Sequence, residues 1–600
     1  MIQNQPSNDG MVVLRDVVVT MRDGARLATD IYLPEGGGAF PVILERTPYG
    51  KDIPSRSERG PGDTEPMARG EVARYFVARG YAVVYQDCRG RYGSEGRFVK
   101  YVSDAEDGYD TCAWIVAQDW CNGRIGTKGL SYAAHTQAAL GSVNAPGVVA
   151  MVLDSGGFSN AYQNGIRQGG AFEMKQVTWA LRQALESPQV QADPAALAAL
   201  ERIDLAEWFT RANTWEPGHS PLSAAPEYED FVFEQWRSGA FDAYWRRPGL
   251  YAQGYYEAFS DAATLHISSW YDPYARSACE NYVGLLGKGP AGLILGPWTH
   301  GNRDLTWAGD VDFGSEATLQ GNLAHDFLAL RLAWFERHLK GEGGPDPLPV
   351  KLFVMGGGSG RRNADGRREH GGRWRSEAAW PIARTAHTSF YLHGDGGLTT
   401  AMPQLEDDAR SYDFDPANPT PTRGGAVTSG EPLMFGGAFD QGAPDVLSFQ
   451  SAPLLEDVEV TGAVRACLWV ASDRLDTDVT FKLIDVAPPS SDYPDGYAMN
   501  LTDGILRLRY RDSWEAPTLL EPGRRYRVEI EALPTSNLFK RGHAIRVDIA
   551  SSNAPRFDVN PNSGAPEGTP GPLLVARNTL YMGPSAASHV ILPVVPIRES

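Results

Sequence analysis

The sequence predicts an α/β fold with a helical insertion, followed by an all-β domain. Three observations carry this. Over the first 155 residues, short apolar strands alternate with helical stretches at the spacing of a mostly parallel sheet covered on both faces. From about residue 156 to 247 the strand signal disappears and the chain reads as helical and rich in aromatics. Beyond Pro349, short β-rich runs recur between Gly, Pro, Asp and Asn, and helix signals are scarce, as in a sandwich or jelly roll. A chain of 600 residues is too long for one core. The expected division is a discontinuous α/β domain over 1–155 and 248–348, a helical cap over 156–247, and a jelly-roll β-sandwich over 349–600.

In chain order, Met11–Thr20 and Arg26–Leu33 alternate like paired strands and meet at Asp23-Gly24, a hairpin turn signal. Pro41–Glu45 is a short apolar strand that ends in the polar loop Arg46-Thr47-Pro48-Tyr49-Gly50-Lys51. Glu71–Arg79 reads as a helix closed by Gly80, and Tyr81–Gln86 as a buried strand running into Asp87-Cys88-Arg89-Gly90-Arg91. Ala105–Ala117 is an amphipathic helix, and Val148–Leu153 another apolar strand. Within the insertion, Asp193-Pro194 opens a helix as cap and first-turn proline. Strands resume at Thr264–Ser268 and Gly292–Leu295; Ala324–Leu339 is an amphipathic helix broken by Gly341-Glu342-Gly343-Gly344-Pro345. The later β runs are Val350–Met355, Ser389–Leu392, Val464–Val470, Val479–Ile484, Tyr526–Ala532, Ile545–Ile549 and Val590–Val595. Gly424-Gly425 and Gly436-Gly437 mark long polar loops.

Composition narrows the function. A formal net charge of −19 disfavours nucleic acid and anionic membrane as partners. Cys88, Cys112, Cys121, Cys279 and Cys467 are scattered and odd in number, against a disulfide framework or a zinc site. Buried free thiols in a reducing compartment are expected. The first ten residues lack a basic region followed by an apolar one, and no apolar run approaches the length of a membrane span. The expectation is a cytoplasmic protein without metal or cofactor, acting on a small molecule, with homo-oligomerisation left open.

The stretch Ile125–Gln137 is the centre of the reading. Ser131 stands between a glycine-rich extended run and the Ala-rich segment Ala133–Leu140. A serine at a sharp strand-to-helix turn has an exposed hydroxyl, and the next backbone N–H, Tyr132, faces where an oxyanion would form. Gly129 allows strand end and helix start to crowd. Ala133 stands where a second glycine is usual, so the match to Gly-x-Ser-x-Gly is incomplete. Asp272 and His300 each follow a predicted strand, and the order Ser…Asp…His is that of the α/β-hydrolases. A serine hydroxyl needs a histidine to take its proton, and the histidine needs a carboxylate to fix its tautomer. Asp154-Ser155-Gly156-Gly157 looks like a chymotrypsin-type nucleophile loop, but its surroundings read as α/β. His135 lies four residues beyond Ser131 on one helix, which suits packing or pocket lining rather than catalysis.

Several motifs together resemble the serine hydrolases of the cocaine esterase and X-prolyl dipeptidyl-peptidase superfamily, the CocE/NonD hydrolases. They are Arg22-Asp23-Gly24 with Tyr32-Leu33-Pro34; Thr47-Pro48-Tyr49-Gly50-Lys51; Gln86-Asp87-Cys88-Arg89-Gly90-Arg91 with Ser94-Glu95-Gly96; Trp120-Cys121-Asn122-Gly123; Gly129-Leu130-Ser131-Tyr132; Trp270-Tyr271-Asp272; and Gly296-Pro297-Trp298-Thr299-His300. The resemblance spans nearly the whole chain. It implies an α/β-hydrolase domain with helical cap and C-terminal jelly roll, Ser131 as nucleophile, His300 as general base and Asp272 as its partner. It also implies an oxyanion hole made of the Tyr49 hydroxyl and the Tyr132 backbone N–H. The α-amino-acid ester hydrolases of the superfamily place a carboxylate three residues after the nucleophile; here that residue is Ala134, which disfavours aminoacyl substrates.

The expected activity is hydrolysis of carboxylic esters, with amides left open, through an acyl-enzyme. The aromatic cap implies an apolar or aromatic substrate, with His135, Phe158, Phe172, Trp179 and Tyr274 as candidates for its pocket. A β-lactam acylase or other amidase would use the same triad. A carbohydrate-binding jelly-roll protein is the alternative outside the enzymes, and it leaves the ordered Ser, Asp and His without a role.

Overall fold

The structure, a computed structural model, describes residues 4–7, 10–344, 349–406, 408–428 and 445–596. Gly436-Gly437 lies outside the described residues. The N-terminal part is built from β1 (Asn4–Ser7), β2 (Met11–Thr20), β3 (Arg26–Pro34), β4 (Phe40–Thr47), α1 (Arg69–Val77), β5 (Ala82–Asp87), α2 (Asp104–Val116), β6 (Cys121–Leu130), α3 (Tyr132–Ser142) and β7 (Val148–Asp154). The hairpin at Asp23-Gly24 forms as expected, with Thr20 opposite Arg26. The sheet order is β1-β2-β3-β5-β4-β6-β7. It continues in parallel through Ala263–Tyr271, Ala291–Thr299 and Val350–Met355. Strands β4, β5 and β7 are almost wholly buried, which is why they read as unbroken apolar runs. Helices pack on both faces: Phe76, Phe335 and Leu339 on one, Cys112, Ile115 and Leu140 on the other.

The strand Val350–Met355, grouped by the sequence reading with the β-rich part, extends the α/β sheet: Leu293 lies opposite Val350. On its other side it pairs antiparallel with Gly372–Glu377, and Met355 meets Asn537 of the C-terminal part. One hydrogen-bonded sheet therefore runs from the α/β domain into the all-β domain.

The all-β domain has two sheets around one core. A four-stranded sheet (447–450, 544–550, 478–487, 497–507) supplies Phe481, Leu483 and Val547; the facing strands supply Leu468, Val528, Ile530 and Leu592. The strand Tyr497–Arg507 was not among the runs expected from the sequence. In the fold Gly504 is a strand residue opposite Phe481, where a side chain would strike the Phe481 ring.

The insertion is helical, with α4 (Lys175–Leu185) and Pro226–Arg237 as its longer helices. It also holds a small hairpin, Arg167–Gln168 with Ala171–Phe172, inside a stretch read as free of strands. Gly169 and Gly170 adopt positive φ at its turn, and the Gly169 carbonyl accepts from the Arg507 N–H at 2.7 Å. A two-residue ladder leaves too short a pattern to read. The helix expected over 324–339 starts later, at Phe327, because Asp326 caps it (Ala329 N–H, 2.7 Å). It ends in a π turn, Glu336–Lys340, closed by Gly341 in the left-handed region. All five cysteines are free and buried. Among the described residues no helix is long and apolar enough to cross a membrane.

Candidate active site

Ser131 sits between β6 and α3 with φ +60° and ψ −117°. A non-glycine residue there costs on the order of 1–3 kcal/mol, so its surroundings must hold it. The Ser131 N–H donates to the Asp154 carbonyl at 2.9 Å, and its carbonyl accepts from the N–H of Ala134 and His135. Two glycines make room. A side chain at Gly129 would overlap Ala133, and one at Gly156 would lie 2.5 Å from the Ser131 carbonyl oxygen. The stretch Asp154-Ser155-Gly156-Gly157 therefore braces the elbow. Tyr132 is the first residue of α3, so its N–H has no acceptor within the helix.

Asp272 and His300 follow the strands 263–271 and 291–299, two neighbours in the sheet. His300 Nδ1 lies 3.2 Å from Asp272 Oδ1. The carboxylate also accepts from the Tyr274 N–H at 3.0 Å and the Ser268 hydroxyl at 3.1 Å. Burial works to raise the Asp272 carboxyl, but the His300 ring, the Tyr274 N–H and the Ser155 hydroxyl outweigh it. The group is held below the usual carboxylate range. Arg56 donates to the His300 carbonyl at 2.7 Å, and the His300 N–H meets the Val427 carbonyl of the all-β domain.

Tyr49 lies in the loop after β4. The motif Asp87–Arg91 holds that loop: Asp87 accepts from the Lys51 N–H at 2.6 Å, and Arg91 donates to the Pro48 carbonyl at 2.9 Å. The Tyr49 hydroxyl accepts from the Trp179 indole N–H at 3.0 Å. It thus keeps its own proton to donate. Burial pushes this phenol up, against the opposing effects of Trp179 and Ser131, so it stays protonated.

Residues 23–302 match the profile of the X-Pro dipeptidyl-peptidase (S15) family, and residues 346–591 that of the X-Pro dipeptidyl-peptidase C-terminal non-catalytic domain. The chain is 35% identical to a cocaine esterase from a Rhodococcus species, over 97% of its own length and 98% of the relative's. It belongs to the S15 family of serine hydrolases. Solved structures share the fold. An aminopeptidase from a marine sediment Thaumarchaeota archaeon superposes with a TM-score of 0.78 at 22% identity, over 99% of this chain and 98% of that one. A CocE/NonD family hydrolase from Staphylococcus aureus gives 0.69 at 20% identity, over 98% and 94%.

In this S15 hydrolase, Ser131, His300, Tyr49, Trp179 and Tyr274 line one cavity of about 680 Å³. Its walls come from the α/β domain, from α4 of the cap, and from Thr428 of the all-β domain. Three pocket candidates fall elsewhere. His135 accepts from the Gly157 N–H at 3.0 Å and stacks on Phe158 at 3.8 Å. Burial, helped by the charges of Lys100, His300 and Lys175, holds it well below the usual histidine value, so it is neutral packing. Phe158 is buried in that stack, and Phe172 lies on Trp236 at 5.6 Å, in the cap core. The helix turns residue 135 away from the cavity, and aromaticity alone does not tell core from wall. The sequence reading missed Lys100, Arg56 and the Trp179–Tyr49 hydrogen bond. Each depends on a long-range contact that leaves no local pattern.

Proposed function

We propose that this S15 hydrolase cleaves carboxylic esters through an acyl-enzyme on Ser131, with His300 as general base and Asp272 as its partner. His300 takes the Ser131 proton as the hydroxyl oxygen attacks the ester carbonyl. Asp272, kept ionised, fixes the proton on Nδ1 and stabilises the imidazolium. The oxyanion is met by the Tyr132 N–H and the Tyr49 hydroxyl. His300 then gives its proton to the departing alkoxide, and water repeats the sequence on the acyl-enzyme. The observation that carries the reading is a strained serine that shares one cavity with a phenol and with a histidine hydrogen-bonded to a buried carboxylate. The 35% identity to a cocaine esterase, an ester hydrolase by name, supports ester over amide substrates. Tyr49, Tyr101, Trp179 and Tyr274 along the walls suit an aromatic or apolar body.

The test is turnover of an aryl ester panel beside the matching anilides. Ser131→Ala should lower ester turnover by at least about a thousandfold with the fold intact. Ester turnover should exceed anilide turnover in the parent enzyme. A Ser131→Ala enzyme with parent activity would remove the assignment, and faster anilide hydrolysis would make the enzyme an amidase.

A further inference from the structure

The chain carries a net charge of −19, yet its catalytic cavity is lined by more cations than anions. Arg56, Arg69, Lys100, Lys175 and Arg182 face it, against Glu45 and Glu186. Arg69 pairs with Glu45 at 2.6 Å, Lys175 with Glu173, and Arg56 donates to the His300 carbonyl. Lys100 is different. It is 2% exposed and lines the cavity, and among the described residues its ammonium is met by the Gln176 side-chain oxygen at 2.9 Å and by no carboxylate. Gln176 is itself fixed, since its amide donates to the Gly165 carbonyl at 3.0 Å. The Lys100 nitrogen stands 3.7 Å over the Trp179 ring, whose N–H holds Tyr49. The Tyr49 and Trp179 ring centres are 6.4 Å apart, so the ammonium lies within the sum of these two separations of Tyr49. Lys100 and Ser131 line the same cavity.

Resting on the ester-hydrolase reading of this cavity, we infer that Lys100 is an anion subsite and that the enzyme prefers esters carrying a carboxylate. A buried amine without a counter-charge is costly unless something else uses it. Burial, with Lys175 and Arg182 nearby, depresses this amine well below the usual lysine value. An arriving carboxylate supplies a counter-charge and favours the protonated amine. Arg182 is exposed at the lip, on the same face of α4 as Trp179, and draws anions inward. Ala134 leaves the elbow without a carboxylate that would oppose this polarity.

The experiment compares matched esters that differ only in charge. Monomethyl adipate against dimethyl adipate places the carboxylate on the acyl side. 4-Acetoxybenzoate against its methyl ester places it on the leaving group. The parent enzyme should favour the charged member of at least one pair by about tenfold or more in kcat/KM. In Lys100→Met, which keeps the unbranched stem, that preference should fall at least tenfold, mostly through KM. Arg182→Gln, an exposed change, should reduce it by a smaller factor. Turnover of neutral esters with no carboxylate preference in either pair would overturn this inference alone. So would a Lys100→Met enzyme that loses charged and neutral substrates in equal proportion. Turnover of neither member of either pair would overturn the ester reading as well.

Discussion

Tyr49 is the residue whose role differs most between a packing and a catalytic account. Its ring packs against Tyr132 and Trp179, and Tyr49→Phe keeps that packing. If the hydroxyl donates to the oxyanion, its loss should lower kcat about a hundredfold, near 3 kcal/mol, with little change in KM. A kcat within threefold of the parent would assign Tyr49 to packing alone. Asp104 gives a prediction about stability. Burial pushes its carboxyl up to about 6 from an ordinary 3.8, despite Arg46 and the Tyr132 hydroxyl. Between those two values the folded state holds a proton that the unfolded chain has lost, so this group's contribution to stability falls as pH rises through that window. Asp104→Asn cannot ionise. Relative to the parent it should gain up to about 3 kcal/mol between pH 4 and pH 7, whatever its constant packing offset. Urea unfolding at several pH values reads this directly, and a pH-independent difference would contradict it.

At the scale of elements, the site depends on how closely the β7 loop approaches the elbow. Gly156 is needed for space: a methyl group there would meet the Ser131 carbonyl at 2.5 Å and the Ala134 side chain at 2.9 Å. Gly156→Ala should displace the elbow and lower kcat by about tenfold or more, because small misplacements of reacting groups are expensive. A crystal structure of the variant with an unmoved Ser131 and full activity would contradict this. The same elements explain what was legible. The placement of Ser131, Asp272 and His300 at strand ends was legible because Ser131 follows a glycine-rich extended run and the other two follow apolar strands, and strand ends in an open α/β sheet gather on one side. His135, Phe158 and Phe172 were misplaced because a buried aromatic looks the same in sequence whether it faces a cavity or another ring. The contact of Trp179 with Tyr49 joins residues 130 positions apart, and Lys100 is a single lysine in a loop. Neither has a local pattern, since chain folding alone creates the contact.

In the whole molecule, the cap is held to the all-β domain through Asp558. This buried carboxylate accepts from the Phe172 N–H at 2.7 Å, the Trp236 indole at 2.9 Å and Arg507 at 3.0 Å. Burial opposes its ionisation, but Arg507 and Arg167 outweigh that and hold the group below the usual carboxylate range. Its contribution is therefore present above the ordinary carboxylate pKa and is lost as pH falls. Asp558→Ala leaves Arg507 with Asp478 as its close partner and strips two cap donors of their acceptor. Denaturant unfolding near neutral pH should show a loss on the order of 3 kcal/mol. A loss under about 1 kcal/mol would mean that other contacts, such as the Gly169 carbonyl with the Arg507 N–H, hold the cap. Because α4 carries Trp179 and Lys175 into the cavity, this joint also fixes the roof of the site.

The central claim is that Ser131 is the nucleophile, and covalent labelling tests it most directly. A fluorophosphonate that forms an ester with an activated serine should label the folded enzyme stoichiometrically and abolish turnover. Peptide mass spectrometry should place the whole adduct on Ser131. Ser131→Ala should take up none, and His300→Ala should label far more slowly, because the hydroxyl has lost its base. An adduct on Ser155 or any other serine, or undiminished labelling of Ser131→Ala, would contradict the account.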